Sequence, residues 1–199
     1  MKVILASKSP RRKEIFGAYA EECGFRFDII TRETDEELFG EHPMTGVKTL
    51  AERKGAAVAA EYPDALVVSS DTLVELGGKP LGKPVDENDA YGMLRELSGK
   101  THNVHTGIAL TLGERVYSGV ATTEVTFRDL TDEEIRAYVA TGEPMDKAGA
   151  YGIQGKGGNL VAGYNGEFDT VVGFNMTLLR KLIDEAVGDV SLLSEGSND

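Results

Sequence analysis

The chain holds 199 residues, 33 acidic and 21 basic, for a formal net charge of −12 and a pI near 4.8. Hydrophobic residues at 41% and charged residues at 27% give the composition of a folded chain, which excludes wholesale disorder. The negative balance repels polymer phosphate backbones and anionic membranes, so neither is an expected partner, and a small anionic substrate would need a local gathering of positive charge.

In chain order, Lys2 to Ala6 reads as a short apolar strand. It is too short and too closely followed by basic residues, with no small-residue cleavage site, to read as a signal peptide. No stretch reaches the roughly 18–20 uncharged apolar residues of a membrane span. Ser7-Lys8-Ser9-Pro10 opens a helix running to about Glu22. The single cysteine, Cys23, excludes an internal disulfide and fits a reducing, cytoplasmic setting. Phe25 to Ile30 is a second strand, and Thr31 to Pro43 is acidic and irregular. Thr45 to Glu61 is helical, with Val47, Leu50, Ala51 and Val58 on one face. Ala65 to Ser69 is a strand apolar enough to be buried on both sides. A hairpin at Gly77-Gly78 and a helix from Asp86 or Asn88 to Gly99 follow. Val104 to Leu112 and Val116 to Phe127 alternate as strands about Gly113-Glu114. Thr131-Asp132-Glu133-Glu134 is a capping box for a helix to Ala140. Gly142 to Gly173 reads as loop, and Met176 to Val187 as a final amphipathic helix. Residues 1–188 are expected to be one domain and 189–199 an acidic, disordered tail. Strands alternating with helices, with one antiparallel hairpin pair, predict an α/β class with a mixed sheet.

Five groups of residues could carry chemistry. Ser9 suits an N-cap and Pro10 the first helical position, which puts Arg11 and Arg12 in the first turn. The helix dipole already places partial positive charge there, so stacked cations call for an anion. Backbone N–H groups, the Ser7 and Ser9 hydroxyls and two guanidinium groups would make a phosphate site. The alternative is a helix start with solvated or paired basic residues. Asp71, delivered where a buried strand ends in Ser-Ser-Asp-Thr, could hold Mg²⁺ or accept a proton from an attacking water, or could be a turn aspartate. Lys83, in Leu81-Gly82-Lys83-Pro84, lies on extended or turning backbone and could reach a phosphate, or be a solvated hairpin lysine. Lys54 falls on the buried face of its helix, either snorkelling or pointing into a polar pocket. The nearby Thr34-Asp35-Glu36-Glu37 is a solvated turn or a source of a metal carboxylate. Gln154, in a run of small residues suited to close backbone approach to a ligand, could read a base edge or face water.

Other motifs are excluded. No G-x-x-x-x-G-K-[ST] is present, the glycines at 152–158 do not form the dinucleotide fingerprint, and Cys23, His42, His102 and His105 lack zinc spacing. His102 and His105 read as strand-edge residues.

Together the segments resemble the Maf family, septum-formation-inhibitor-like nucleoside triphosphate pyrophosphatases. The matching pieces are Ser7-Lys8-Ser9-Pro10-Arg11-Arg12, Ser70-Asp71-Thr72, Gly82-Lys83-Pro84, Leu97-Ser98-Gly99 with His102, Val104 and Thr106, and the run from Asp146 to Gly155. They occur in the family's order and span nearly the whole chain before the tail.

The resemblance implies a mixed-sheet α/β fold related to the inosine-triphosphate pyrophosphatases, with two lobes around a central cleft. It implies cleavage of a nucleoside triphosphate to monophosphate and pyrophosphate with a divalent cation, Mg²⁺ or Mn²⁺. Asp71 matches the family's catalytic aspartate, Arg12, Lys54 and Lys83 its phosphate-binding residues, and Glu36 its acidic metal-site residue beside Asp71. Arg11, Thr72 and Gln154 match the residues of the dTTP/UTP branch. A homodimer is implied as well. The alternative is a nucleotide-binding regulator of septum formation without significant catalysis. Where the family often has Gly-Leu-Pro, this chain reads Gly173-Phe174-Asn175, and Asn175 can still cap the last helix.

Overall fold

Val3, Ile4 and Leu5 carry no polar side chain, and such a strand is stable only if both of its faces are covered. The computed structural model, which describes residues 1–35 and 42–196, covers both. Strand β1 (Val3–Leu5) pairs in parallel with β2 (Asp28–Ile29) on one side and with β3 (Leu66–Leu76) on the other, with Val3, Ile4 and Leu5 opposite Leu66, Val67 and Val68. Val3, Leu5, Leu66 and Val68 point into one core with Phe16 and Tyr19 of α1 (Pro10–Cys23) and Leu179, Leu182 and Ile183 of α6 (Met176–Val187). Ile4, Ala6 and Val67 point the other way, against Val58 and Ala59 of α2 (Pro43–Ala59). Period-two alternation thus assigns each strand residue to one of two cores.

The remaining elements are β4 (Lys79–Leu81), α3 (Glu87–Leu97), β5 (Thr101–Leu112), β6 (Arg115–Phe127), α4 (Asp132–Val139), β7 (Val161–Asn165) and α5 (Phe168–Val172), with short 3₁₀ turns between. The α/β class with a mixed sheet holds. Among the described residues the sheet has seven strands: six run in the order β2-β1-β3-β5-β6-β7, and β4 pairs antiparallel with β3. The helix caps follow the sequence: Asp86 caps α3, the Thr131–Glu134 box caps α4, and Asn175 Oδ1 accepts the Leu178 N–H at 2.7 Å. Among the described residues, no helix is long and apolar enough to cross a membrane.

The chain divides into two compact units. The first takes in Met1–Asp71, Thr106–Ala121 and the segment from Gly173 onward, and the second Thr72–His105 and Thr122–Val172. The second has its own core, built on Leu94 and Leu97 of α3, Phe127, Ile135 of α4 and Tyr151.

Three segments depart from the sequence reading. Strand β3 does not stop at Ser69 but runs to Leu76. The polar run that interrupts its hydrophobic pattern is satisfied within the fold: Ser69 Oγ donates to Ala51 O at 2.7 Å and Ser70 Oγ to Gly173 O at 3.0 Å. Residues 142–173, read as loop, hold three 3₁₀ turns, β7 and α5. Beyond Gly188, residues 190–196 form a 3₁₀ segment, because Leu193 finds room in the first unit's core.

His102 and His105 are not edge residues; both are buried in the second unit. His105 joins Glu75 (Nε2 to Oε2, 2.9 Å) and Thr122 (Nδ1 to Oγ1, 2.8 Å). Glu75 also accepts the Gly78 N–H at 2.7 Å, and its carboxyl is held below the usual range chiefly by His105, against the opposing effect of burial. His102 shares a hydrogen bond of 2.9 Å with the Tyr151 hydroxyl and stands edge-on to Phe127, while its Nδ1 has no hydrogen-bond partner among the described residues. Burial lowers its pKa from 6.5 to about 4. Below about pH 6.5 the unfolded chain therefore takes up a proton that the folded chain refuses until about pH 4. Stability should fall by up to about 3 kcal/mol as the pH drops through that window. Urea unfolding at pH 7 and pH 4.5 checks this: the loss should shrink in His102→Gln, and equal losses in the two proteins would contradict it.

Candidate active site

The first unit positions its charged residues by bringing a helix unusually close to the sheet. At Gly55 of α2, a Cβ would stand 2.8 Å from Ser69 Oγ and 2.9 Å from Thr111 Oγ1; at Gly107 of β5, a Cβ would stand 2.5 Å from Val47 O. Only residues without side chains permit that approach. Ser69 Oγ, bonded to Ala51 O, ties the same helix turn to the strand. Lys54, between Ala51 and Gly55, thereby meets Asp71, two residues beyond Ser69. Its Nζ lies 2.5 Å from Asp71 Oδ1, and the two side chains keep only 19% and 15% of their surface exposed. Lys54 thus meets a carboxylate rather than snorkelling into open solvent.

Asp71 lies within β3 rather than at its end. The parallel pairing with β1, however, stops at Val68, with a last hydrogen bond from Ala6 N–H to Val68 O. The aspartate therefore stands beyond the carboxyl end of a parallel strand pair, where open α/β sheets bind ligands.

Where β1 ends, the chain turns into α1 through Ser7, Lys8 and Ser9. Ser9 occupies the N-cap position and Pro10 the first turn, as the sequence predicts, but the Ser9 hydroxyl makes no capping bond. The buried Ser7 Oγ instead accepts the Ser9 N–H at 3.3 Å. No acidic residue occupies the first turn to offset Arg11, Arg12 and Lys13. Arg12 also has a task the sequence does not show: its Nε donates to Gly173 O at 2.8 Å and one terminal nitrogen to Ser70 O at 2.7 Å. Ser70 Oγ shares the Gly173 oxygen. A planar guanidinium suits such a two-acceptor clamp, which fixes the residue immediately before Asp71.

Glu36 lies outside the described residues. Among the described residues, no three His, Cys, Asp or Glu side chains form a metal cage. A hard dication bound chiefly through substrate phosphates and water needs only one or two protein carboxylates, and the half-buried carboxylate of Asp71 is a donor of the right kind.

The second unit holds the other predicted residues. Thr72 is half-buried, and Lys83 and Gln154 are exposed. Gly82, before Lys83, is tied to the Asp146–Gly155 run by the Gly149 N–H to Gly82 O bond of 3.0 Å. The small residues of that run have a packing role. Gly152, Gly155 and Gly157 make room for Lys147, Glu143 and Tyr138 of the same unit. Tyr138 and Glu143 have no sequence signal beyond the tyrosine's place on the buried side of α4. Burial raises the Tyr138 hydroxyl's pKa above its ordinary value.

An α/β protein with a lysine–carboxylate pair beyond the end of its parallel strands, and with cations at the adjoining helix start, is the class this arrangement defines. The family description "Maf-like protein" matches residues 2–186, and the chain belongs to that family. A dTTP/UTP pyrophosphatase of Aquifex aeolicus is 43% identical over 93% of this chain and 95% of its own length. One from Carboxydothermus hydrogenoformans is 45% identical over 93% and 98%, and one from Moorella thermoacetica 48% identical over 92% and 93%. A solved nucleoside-triphosphatase (dITP/XTP pyrophosphatase) from Mycobacterium abscessus overlays with a TM-score of 0.43 at 13% identity, covering 65% of this chain and 76% of that one, a likeness too distant to carry an argument.

If the close helix approach sets the Lys54–Asp71 contact, Gly55→Ala should cost about 1–3 kcal/mol of stability, since the added methyl meets two hydroxyls. Any catalytic activity should fall with it, because Lys54 moves. Pairing the substitution with Ser69→Ala should restore part of both, measured by urea midpoint and turnover. No recovery in the double variant would contradict the packing argument.

Proposed function

We propose that the chain is a nucleoside triphosphate pyrophosphatase acting on dTTP and UTP, with Asp71 as its catalytic carboxylate. The observation that carries this reading is the Lys54–Asp71 contact beyond the end of the parallel strands, in a chain that matches relatives so named over nearly their whole length. In the reaction, a water oxygen bonds to the α-phosphorus. The bond from that phosphorus to the α–β bridging oxygen breaks, and the bridging oxygen departs with the electron pair as part of pyrophosphate. Asp71 orients the water and takes its proton. Lys54, paired with Asp71 in the free protein, turns its ammonium to the phosphates when substrate enters. Ser7, Ser9 and Arg12 bind phosphate oxygens at the start of α1. By family resemblance, Lys83 contacts a phosphate, and Arg11, Thr72 and Gln154 select the pyrimidine base.

A divalent cation, Mg²⁺ or Mn²⁺, held by Asp71 and, by resemblance, by Glu36, would neutralise charge on the phosphates. The protein's own contribution is position and electrostatics, as phosphoryl transfer generally requires. The single cysteine supports a cytoplasmic setting, and the family resemblance a homodimer.

Incubation with dTTP, UTP, CTP and GTP plus Mg²⁺ tests the reading. Pyrophosphate should appear from dTTP and UTP in preference to the others, without orthophosphate as the primary product. Asp71→Asn, nearly isosteric but unable to take the proton, should lower kcat by about 10²–10⁴-fold with the thermal midpoint little changed. Pyrophosphate release by that variant at the wild-type rate would refute the assignment.

A further inference from the structure

The segment that carries Gln154 is suspended from two side chains of its own unit. Glu143 Oε1 accepts the Tyr138 hydroxyl at 2.9 Å and the Gly157 N–H at 3.1 Å, and Oε2 accepts the Lys156 N–H at 3.0 Å. The Tyr138 hydroxyl in turn accepts the Gly152 N–H at 3.1 Å. The chain is thus gripped at 152 and again at 156–157, and residues 153–155 form a short arch with Gln154 exposed at its middle. A Gly155 N–H to Gly152 O bond of 3.2 Å closes the arch.

Glycine is favoured on the C-terminal side of Gln154 because the clamp occupies the space a side chain would take. A Cβ at 155 would stand 2.5–2.6 Å from the Glu143 carboxylate oxygens, and one at 157 would stand 2.6 Å from the Tyr138 hydroxyl. Lys147 closes the far side, donating to Glu143 O at 3.0 Å. Burial works to raise the Glu143 carboxyl, but the Gly157 and Lys156 N–H groups, the Tyr138 hydroxyl and the Lys147 charge outweigh it and hold it below the usual range. The clamp is therefore anionic at neutral pH, and its hydrogen bonds are charge-assisted.

We infer that Glu143 is a positioning residue for base selection: with Tyr138 it fixes the arch that presents Gln154 to the nucleotide. The inference rests on the reading that Gln154 contacts the base. An amide that must match donor and acceptor on a base edge discriminates only if its backbone is held still, because a mobile amide can turn to suit either pattern. Neither Glu143 nor Tyr138 is asked to touch substrate. Their loss should therefore act on recognition rather than on the chemical step.

The test compares Glu143→Gln, Tyr138→Phe and Gln154→Ala with the wild-type protein, measuring kcat and KM for UTP and CTP with Mg²⁺. Glu143→Gln turns one acceptor oxygen into a donor facing an N–H, and Tyr138→Phe removes the hydroxyl alone. Both should raise KM for UTP about tenfold and shrink the UTP-over-CTP preference in kcat/KM about tenfold, toward the Gln154→Ala value, with kcat within about threefold of wild type. Wild-type preference in both clamp variants, with the preference lost in Gln154→Ala, overturns the positioning role and leaves the base reading intact. Wild-type preference in Gln154→Ala overturns the base reading and the inference together. A fall in kcat at unchanged KM also overturns it. Should Glu143→Gln fail to fold, Tyr138→Phe decides by the same outcomes. A wild-type protein that releases no pyrophosphate from UTP defeats the activity itself, a result distinct from all of these.

Discussion

The contact between Lys54 and Asp71 organises the first unit, and it exists only because a helix lies almost against the strands below it. Two half-buried opposite charges at 2.5 Å are costly to desolvate, and burial repays them only when the surrounding backbone brings them into good geometry. Here the holding is done by absences and by small donors: no side chain at Gly55 or Gly107, and a Ser69 hydroxyl reaching across to Ala51 O. The ammonium and the carboxylate meet because the backbones carrying them cannot move apart or slide.

Around that pair the fold assigns separate tasks to residues that look alike in sequence. Arg11 and Arg12 are neighbours in one helix turn, yet Arg12 clasps two main-chain carbonyls and so serves the architecture, whatever else it binds. Ser69 and Ser70 are likewise adjacent, but one ties strand to helix and the other ties strand to Gly173. In the second unit, the glycines at 155 and 157 make room for the half-buried Glu143 carboxylate and the Tyr138 hydroxyl. In each case a motif that reads as one functional patch resolves into supports and a smaller number of groups left to face a substrate.

Much of this was legible beforehand because it rests on local rules. The caps at Asp86, Thr131 and Asn175, the helix start at Pro10 and the two-faced burial of Val3–Leu5 follow from short-range geometry and period-two alternation. Asp71 stands out in the sequence by its position after an apolar strand, although the strand continues; hydrophobic pattern cannot see hydroxyls that satisfy themselves on distant carbonyls. Lys54 was found as an anomaly on a buried face, but its partner was not, because nothing local links residues 54 and 71. Tyr138 and Glu143 escaped altogether. Their roles depend on where a glycine-rich stretch returns after more than a turn of irregular chain, and no periodicity encodes that. Leu193 was hidden in a polar, acidic context that masked one useful side chain.

The hydrogen bonds around Gly173 have a consequence for how the molecule comes into being. That carbonyl receives Arg12 from 161 residues away and Ser70 from 103 residues away, and the second unit is made of chain that lies between them. As the polypeptide leaves the ribosome, the helix start and the strand bearing Asp71 emerge early, but their common anchor emerges only after the whole intervening unit has been synthesised. Contacts of such high sequence separation form late and slowly. The Asp71 carboxylate is thus among the last features to gain its final surroundings, and a nascent chain lacking residue 173 carries Arg12 and Ser70 without the carbonyl that anchors them beside it.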